Sequence, residues 1–280
     1  MRRRRKLLPR LGQYLLNAIL VIASVGMVLP IVYTVITSLE PATQQFKLPP
    51  QWIPRHLTLA SYRLIFTQIP FLQEIINSVG ITVVVILGAT IVSVLAAYSF
   101  ARLSFRGSRV LFVLMLVALM VPTQIAAIPQ FIIMRNLHLI NTRLALIIPA
   151  LIQVFSIFLL RQHFQTIPRD LEDAARIDGA GHLLIIRHVI LPLSWPAIAA
   201  VAIVTGQFIW NDFFWPKLFL TSQSKMVAPL ALVSFSDANG GGALGPVFAG
   251  VSLMLAPILI AFVFLQRRLT EGVGFAGISR

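Results

Sequence analysis

The chain has 280 residues, 58% of them hydrophobic and only 11% charged, with a net charge of +14 and no cysteine. A soluble domain carries about 25% charged residues, so much of this surface faces something other than water. The missing cysteine excludes disulfides, thiolate catalysis and cysteine-ligated zinc, and the basic excess is that of membrane-protein loops rather than of a nucleic-acid binder.

The chain opens on Arg2-Arg3-Arg4-Arg5-Lys6, followed by an apolar run from Tyr14 to Thr37. A signal peptide has a shorter apolar core, so residues 1–13 read as a basic tail and 14–37 as a retained first span. Residues 38–76 form an external loop. It holds Pro41, Pro49, Pro50, Trp52 and Pro54, then an amphipathic patch of Leu59, Tyr62, Ile65 and Phe66. An interfacial lid and a docking surface for an external partner both fit that composition.

Five more apolar runs follow: Asn77–Phe100, Val110–Met134, Leu144–Leu160, Pro196–Phe219 and Pro246–Gln266. All six are expected to be helices, because lipid offers no partner to unpaired backbone groups and the runs lack the alternation of a barrel strand. Pro122 and Pro129 are expected to kink the third. The fold class is therefore an all-α membrane protein with six transmembrane helices. Residues 77–266 are its core and 267–280 a C-terminal tail.

Loop charge gives the orientation. Sixteen Lys and Arg fall on the side of the two termini, among them Arg102, Arg106, Arg109, Arg161, Arg169, Arg176 and Arg187. Seven fall on the other side: Lys47, Arg55, Arg63, Arg135, Arg143, Lys217 and Lys225. The positive-inside rule puts both termini in the cytoplasm, as an even number of spans requires.

The internal loop 161–195 is the most informative stretch. Asp170 suits an N-cap and Pro168 stops any helix entering from the fourth span. Glu172 and Asp173 fall in the first turn, where acids favour the positive helix end. Gly179 stands where a left-handed C-terminal glycine belongs. The helix between is about two turns, ~12 Å, too short to be stable alone. Leu171, Ala174, Ala175 and Asp178 share one face, flattened by its two alanines. A second segment, His182 to Ile190, runs until Leu191-Pro192 breaks it. A solvated loop helix and a docking element both have these features.

The loop resembles the EAA motif of ABC importer permeases: E-A-A, three residues, G, nine residues, I, any residue, L-P. Here it stands as Asp173-Ala174-Ala175, three residues, Gly179, nine residues, Val189, Ile190, Leu191-Pro192. Asp173 replaces Glu and Val189 replaces Ile. Ala174 to Ala180, Pro49 to Pro54, Ala97 to Arg102, Trp210-Asn211-Asp212 and the tail Gln266 to Gly272 are similar to the carbohydrate-importer branch, in particular to the second, six-span permease of maltose-type systems. The resemblance implies the type I ABC importer permease fold in a bacterial inner membrane, and makes the loop a coupling helix seated on a separate ATPase. Asp173 would pair with a basic residue of that ATPase, Ala174 and Ala175 would allow close approach, and Gly179 would make the turn. Glu172, Asp178, Leu191 and Pro192 complete the expected coupling set. The implied partners are a second permease, two ATP-binding subunits carrying ATP and Mg, an external solute-binding protein delivering a sugar or oligosaccharide, and the lipid bilayer.

The chain has no G-x-x-x-x-G-K-[ST], H-E-x-x-H or G-x-S-x-G, so no catalytic residue, metal or cofactor is expected on it. Asp212 is the main ionisable residue within an apolar run. It reads first as a structural hydrogen-bonding group near the outer end of the fifth run, and, with Gln207, Trp210 and Asn211, second as a candidate for the substrate path. An ion-gradient-driven secondary transporter is the rival reading. It would call for inverted repeats or midplane acid–base pairs, and neither stands out.

Overall fold

The computed structural model describes residues 10–41, 56–241 and 244–276, with side chains for 12–41, 56–241 and 244–260. The Arg2–Lys6 run, Lys47, Pro49–Pro54 and Arg55 lie outside the described residues. All regular elements among the described residues are helical. In chain order they are α1 (Arg10–Ser38), α2 (Ala60–Gln68), α3 (Phe71–Arg102), α4 (Ser108–Ala118), α5 (Ala127–Asn136), α6 (Leu144–Ala150), α7 (Val154–Thr166), α8 (Asp170–Ile177), α9 (His182–Ile185), α10 (Leu191–Leu193), α11 (Trp195–Trp210), α12 (Phe214–Phe219), α13 (Ala228–Ala238) and α14 (Leu244–Ala276).

The chain divides into two compact units, Met1–Ile69 with Ser234–Ile258, and Pro70–Val233 with Leu259–Arg280. In the first, α1 presents an apolar, exposed surface along most of its length, with only Thr37 and Ser38 at its end buried, the condition of a helix that faces lipid or another chain. Of the amphipathic patch, Ile65 is buried while Leu59 and Phe66 are exposed. Tyr62 joins α2 to the end of α1 through a 2.8 Å hydroxyl contact with Ser38.

The second unit is built around α3, which packs on α7 and α11. Small residues let these helices approach. A Cβ on Gly88 would lie 2.5 Å from the Leu151 side chain, and one on Gly206 would lie 2.9 Å from Ile86. Without a hydrophobic driving force between helices in lipid, such close van der Waals contact is what holds them. One apolar cluster, around Tyr98, Leu160, Phe164 and Ile190, lies toward the C-terminal end of α3. Another, around Val85, Ala89, Ala145 and Phe219, lies nearer its N-terminal end.

Several expected spans are interrupted. Among the described residues three helices, Gly12–Ser38, Phe71–Arg102 and Leu144–Thr166, are long and apolar enough to cross a membrane, or up to five if each bent pair counts as one span. The run Val110–Met134 is not one kinked helix: Ser108–Ala118 and Thr123–Asn136 meet at 96°. Pro122 has no N–H for a continuing helix and pushes Val121 out of helical conformation. The second span begins at Phe71 rather than Asn77, and the fourth extends to Thr166. The run Pro196–Phe219 divides into α11 and α12 across Asn211–Phe213. The last helix continues to Ala276, beyond the expected end at Gln266.

Candidate functional site: the loop at the end of α3

The loop 161–195 forms two short helices around one glycine. Helix α8 spans Asp170–Ile177, with Arg169 as its N-cap and no side-chain cap, so Asp170 is its first helical residue rather than the cap. Asp170, Glu172 and Asp173 still put three acids in the first turn and Arg176 a base in the last, matching both ends of the helix dipole.

Gly179 has φ +83°. Its N–H donates to the Arg176 carbonyl at 3.0 Å, and the Ala180 N–H donates to the Ala175 carbonyl at 2.9 Å. That pair of bonds is a Schellman motif, which satisfies carbonyls a helix end would leave open. Ala175 and Ala180 both pack on the apolar cluster around Tyr98, supplying the motif's hydrophobic contact.

The second segment differs from expectation. Leu191-Pro192 does not end it. Residues Ile186–Ile190 take π-helical geometry and the chain stays helical through α10. A π-turn accommodates the hydrogen bond that Pro192 cannot give. The break falls at Ser194, where His182–Leu193 and Trp195–Trp210 meet at 84°.

The acids of α8 point in different directions. Glu172 is 2% exposed, and its carboxylate meets the Arg102 guanidinium at 2.6 Å. Arg176 approaches the same carboxylate at 3.6 Å, and the Tyr98 hydroxyl lies 3.5 Å from it. Tyr98 is also 3.1 Å from Nδ1 of His182, the first residue of α9. Arg102 donates to the carbonyls of Phe164 and Ile167, each at 2.6 Å. Asp173 is 59% exposed and pairs only with Arg176 of its own helix, at 2.8 Å.

The outward surface carries Leu171, Ala174, Ile177 and Asp178, while Ala175 is turned partly inward. Ile177, absent from the expected set, is 87% exposed. Its position at i+3 from Ala174 was the available signal. Leu183 and Leu184 extend the exposed apolar surface onto α9.

At the other end of α3 the polar contacts are of a different kind. Arg143 donates to Oδ1 of Asn77 at 2.7 Å, and Asn77 donates to the carbonyls of Ser224 and Met226. Lys225 donates to the Asn141 carbonyl at 2.7 Å. Asn77 and Arg102 are about 38 Å apart along the helix at 1.5 Å per residue. Arg143 and Lys225 are thus separated from Arg102, Arg161 and Arg176 by roughly the thickness of a bilayer.

The four candidate path residues are neighbours but do not share one exposed face. Gln207 on α11 and Asn211, the C-cap of that helix, are both exposed, Nδ2 of Asn211 donating to the Gln207 carbonyl at 2.8 Å, whereas Trp210 is buried. Asp212 is half-buried, and its Oδ1 accepts the N–H groups of Phe214 at 3.1 Å and Trp215 at 3.4 Å, closing the start of α12.

Comparison with known proteins gives a consistent result. Residues 89–273 match the family described as binding-protein-dependent transport system inner membrane component. The arabinooligosaccharides transport system permease protein AraQ of Halalkalibacterium halodurans is 33% identical over 279 residues, 99% of each chain. The trehalose transport system permease protein SugB of Mycobacterium tuberculosis is 32% identical, over 88% of this chain and 90% of that one. In fold, the chain is similar to one from the crystal structure of a bacterial ABC transporter involved in the import of the acidic polysaccharide alginate. The TM-score is 0.77 at 24% identity, over 92% of this chain and 96% of that chain.

Proposed function

Because this chain belongs to the family of binding-protein-dependent transport system inner membrane components, we propose that it is one permease subunit of an ATP-driven importer for an oligosaccharide. It lies in a bacterial inner membrane with six spans and both termini in the cytoplasm. A second permease and two ATP-binding subunits complete the transporter, ATP and Mg reside on the latter, and an external binding protein delivers the solute. The carbohydrate assignment is supported by relatives named for arabinooligosaccharide and trehalose transport.

One observation carries the coupling part of this reading: α8 turns a small, apolar face outward while Glu172 holds its other side against α3. An isolated two-turn helix is unstable, and Ile177 and Leu171 on its free side would be covered by a docked partner. Asp173 would meet a basic residue of the ATPase, and Ala174 would allow the helix to approach closely. Asp178 and Gly179 form the turn. Leu191 and Pro192 carry motion from the π-helical segment Ile186–Ile190 into α11. Gln207 and Asn211, exposed together at the C-terminal end of α11, are the residues assigned to the solute path.

The test is reconstitution in proteoliposomes with candidate ATPase, second permease and binding protein. Uptake of a labelled oligosaccharide should require ATP inside, the ATPase and the binding protein together. Uptake by this chain without an ATPase, driven by an ion gradient, would establish the secondary-transporter reading instead.

A further inference from the structure

Arg102 ends α3, and Tyr98 precedes it by one turn on the same helix. The Arg102 side chain is 4% exposed and meets three elements at once: α3 by covalent attachment, α8 through Glu172, and the end of α7 through the Phe164 and Ile167 carbonyls. These carbonyls lie at the C-terminal end of α7, where a cation is favourable. Tyr98 adds α9 through His182. A planar guanidinium serves several acceptors in one geometry, which a lysine ammonium does not. The pair is more than a surface contact: without Glu172 the buried Arg102 charge meets only neutral carbonyls, and without Arg102 the buried carboxylate keeps only Arg176 at 3.6 Å and the Tyr98 hydroxyl.

We propose that Arg102 is a positioning residue for coupling: through Glu172 it makes the loop helix α8 one mechanical body with the cytoplasmic ends of α3 and α7. Force applied at the outward face of α8 then moves those spans instead of bending the loop. The proposal rests on the coupling reading above and adds to it the element that receives the motion.

The full transporter is compared with Arg102→Met and Arg102→Lys forms, scoring oligosaccharide uptake per ATP hydrolysed. Arg102→Met should retain the ATPase subunit and hydrolyse ATP, yet lose uptake per ATP and the response of hydrolysis to the binding protein. Adding Glu172→Gln to it should cause no further loss, because the two residues act as a unit. Arg102→Lys should fall between. Unaltered uptake per ATP in Arg102→Met overturns the proposal.

A second measurement leaves the pair intact, should Arg102→Met not insert. The chain has no cysteine, so Leu95→Cys on α3 and Arg169→Cys beside α8 provide the sole spin-label sites. Their distance should be the same in nucleotide-free and ATP-trapped transporter, and a shift between the two states overturns the proposal. Failure of the unaltered chain to bind an ATPase overturns the coupling reading itself, and the proposal with it, before any variant is compared.

Discussion

Glu172 and Asp173 are adjacent in sequence and opposite in environment: the first is 2% exposed against Arg102, the second 59% exposed and paired only within its own helix. Successive helical residues are 100° apart, so two neighbouring acids can serve two functions. Glu172→Ala leaves the Arg102 charge buried without its partner and is expected to cost about 3–5 kcal/mol of stability. Asp173→Ala removes an exposed pair worth less than about 1 kcal/mol, but should weaken capture of the ATPase. Thermal melting in detergent and ATPase co-purification separate the two effects. Equal melting of both variants would refute the assignment.

Gly179 holds φ +83°, and a Cβ placed there meets no atom within 4 Å. The cost of substitution is therefore confined to the backbone, about 1–2 kcal/mol for a left-handed residue with Cβ. Gly179→Leu should insert in the membrane and fail to transport, because the turn between α8 and α9 relaxes. Gly179→Asn, which tolerates this region better, should retain more uptake at equal membrane content. Full transport by a stably inserted Gly179→Leu protein would refute the role of the turn.

Ile177 is the most exposed large apolar residue of α8, at 87%. Ile177→Ser should change the melting of the isolated chain by no more than about 0.5 kcal/mol. If α8 docks on the ATPase, the same change should weaken assembly by about 1–3 kcal/mol, as expected of a residue in an interface core. Titration of labelled ATPase into the reconstituted permease measures this. Unchanged affinity would remove Ile177 from the docking surface.

What was legible in the sequence follows the range of the interactions. Gly179 and the acidic first turn were readable because local backbone geometry and the helix dipole demand those residues. The direction of Glu172 was not, because its partner Arg102 is distant in the chain and only packing of α8 on α3 brings them together. Pro122 announced a kink, but a proline specifies a lost hydrogen bond and not an angle, so the 96° bend was not readable from it. Pro192 misled in the other direction, since a π-turn absorbed the missing bond. Asp212 looked like an intramembrane charge. Its bonds to the N–H groups of Phe214 and Trp215 give it a local structural use, the reading weighed beside the solute path.

At the opposite end of α3 from the coupling loop, Asn141 combines two costs that mutation can separate. It holds φ +59°. Its Oδ1 accepts the N–H groups of Thr221 and Ser222 at 3.2 and 3.0 Å, and its Nδ2 donates to the Ser222 hydroxyl at 2.7 Å. Asn141→Gly keeps the backbone at ease and loses the side-chain bonds, at about 1 kcal/mol each. Asn141→Ala loses the same bonds and adds about 1–2 kcal/mol of left-handed strain. Melting should therefore fall in the order unaltered, Asn141→Gly, Asn141→Ala. Both variants should leave ATPase co-purification intact, because these contacts lie roughly a bilayer's thickness from α8. A loss of ATPase binding in Asn141→Gly at unchanged expression would contradict the separation of the two ends along α3.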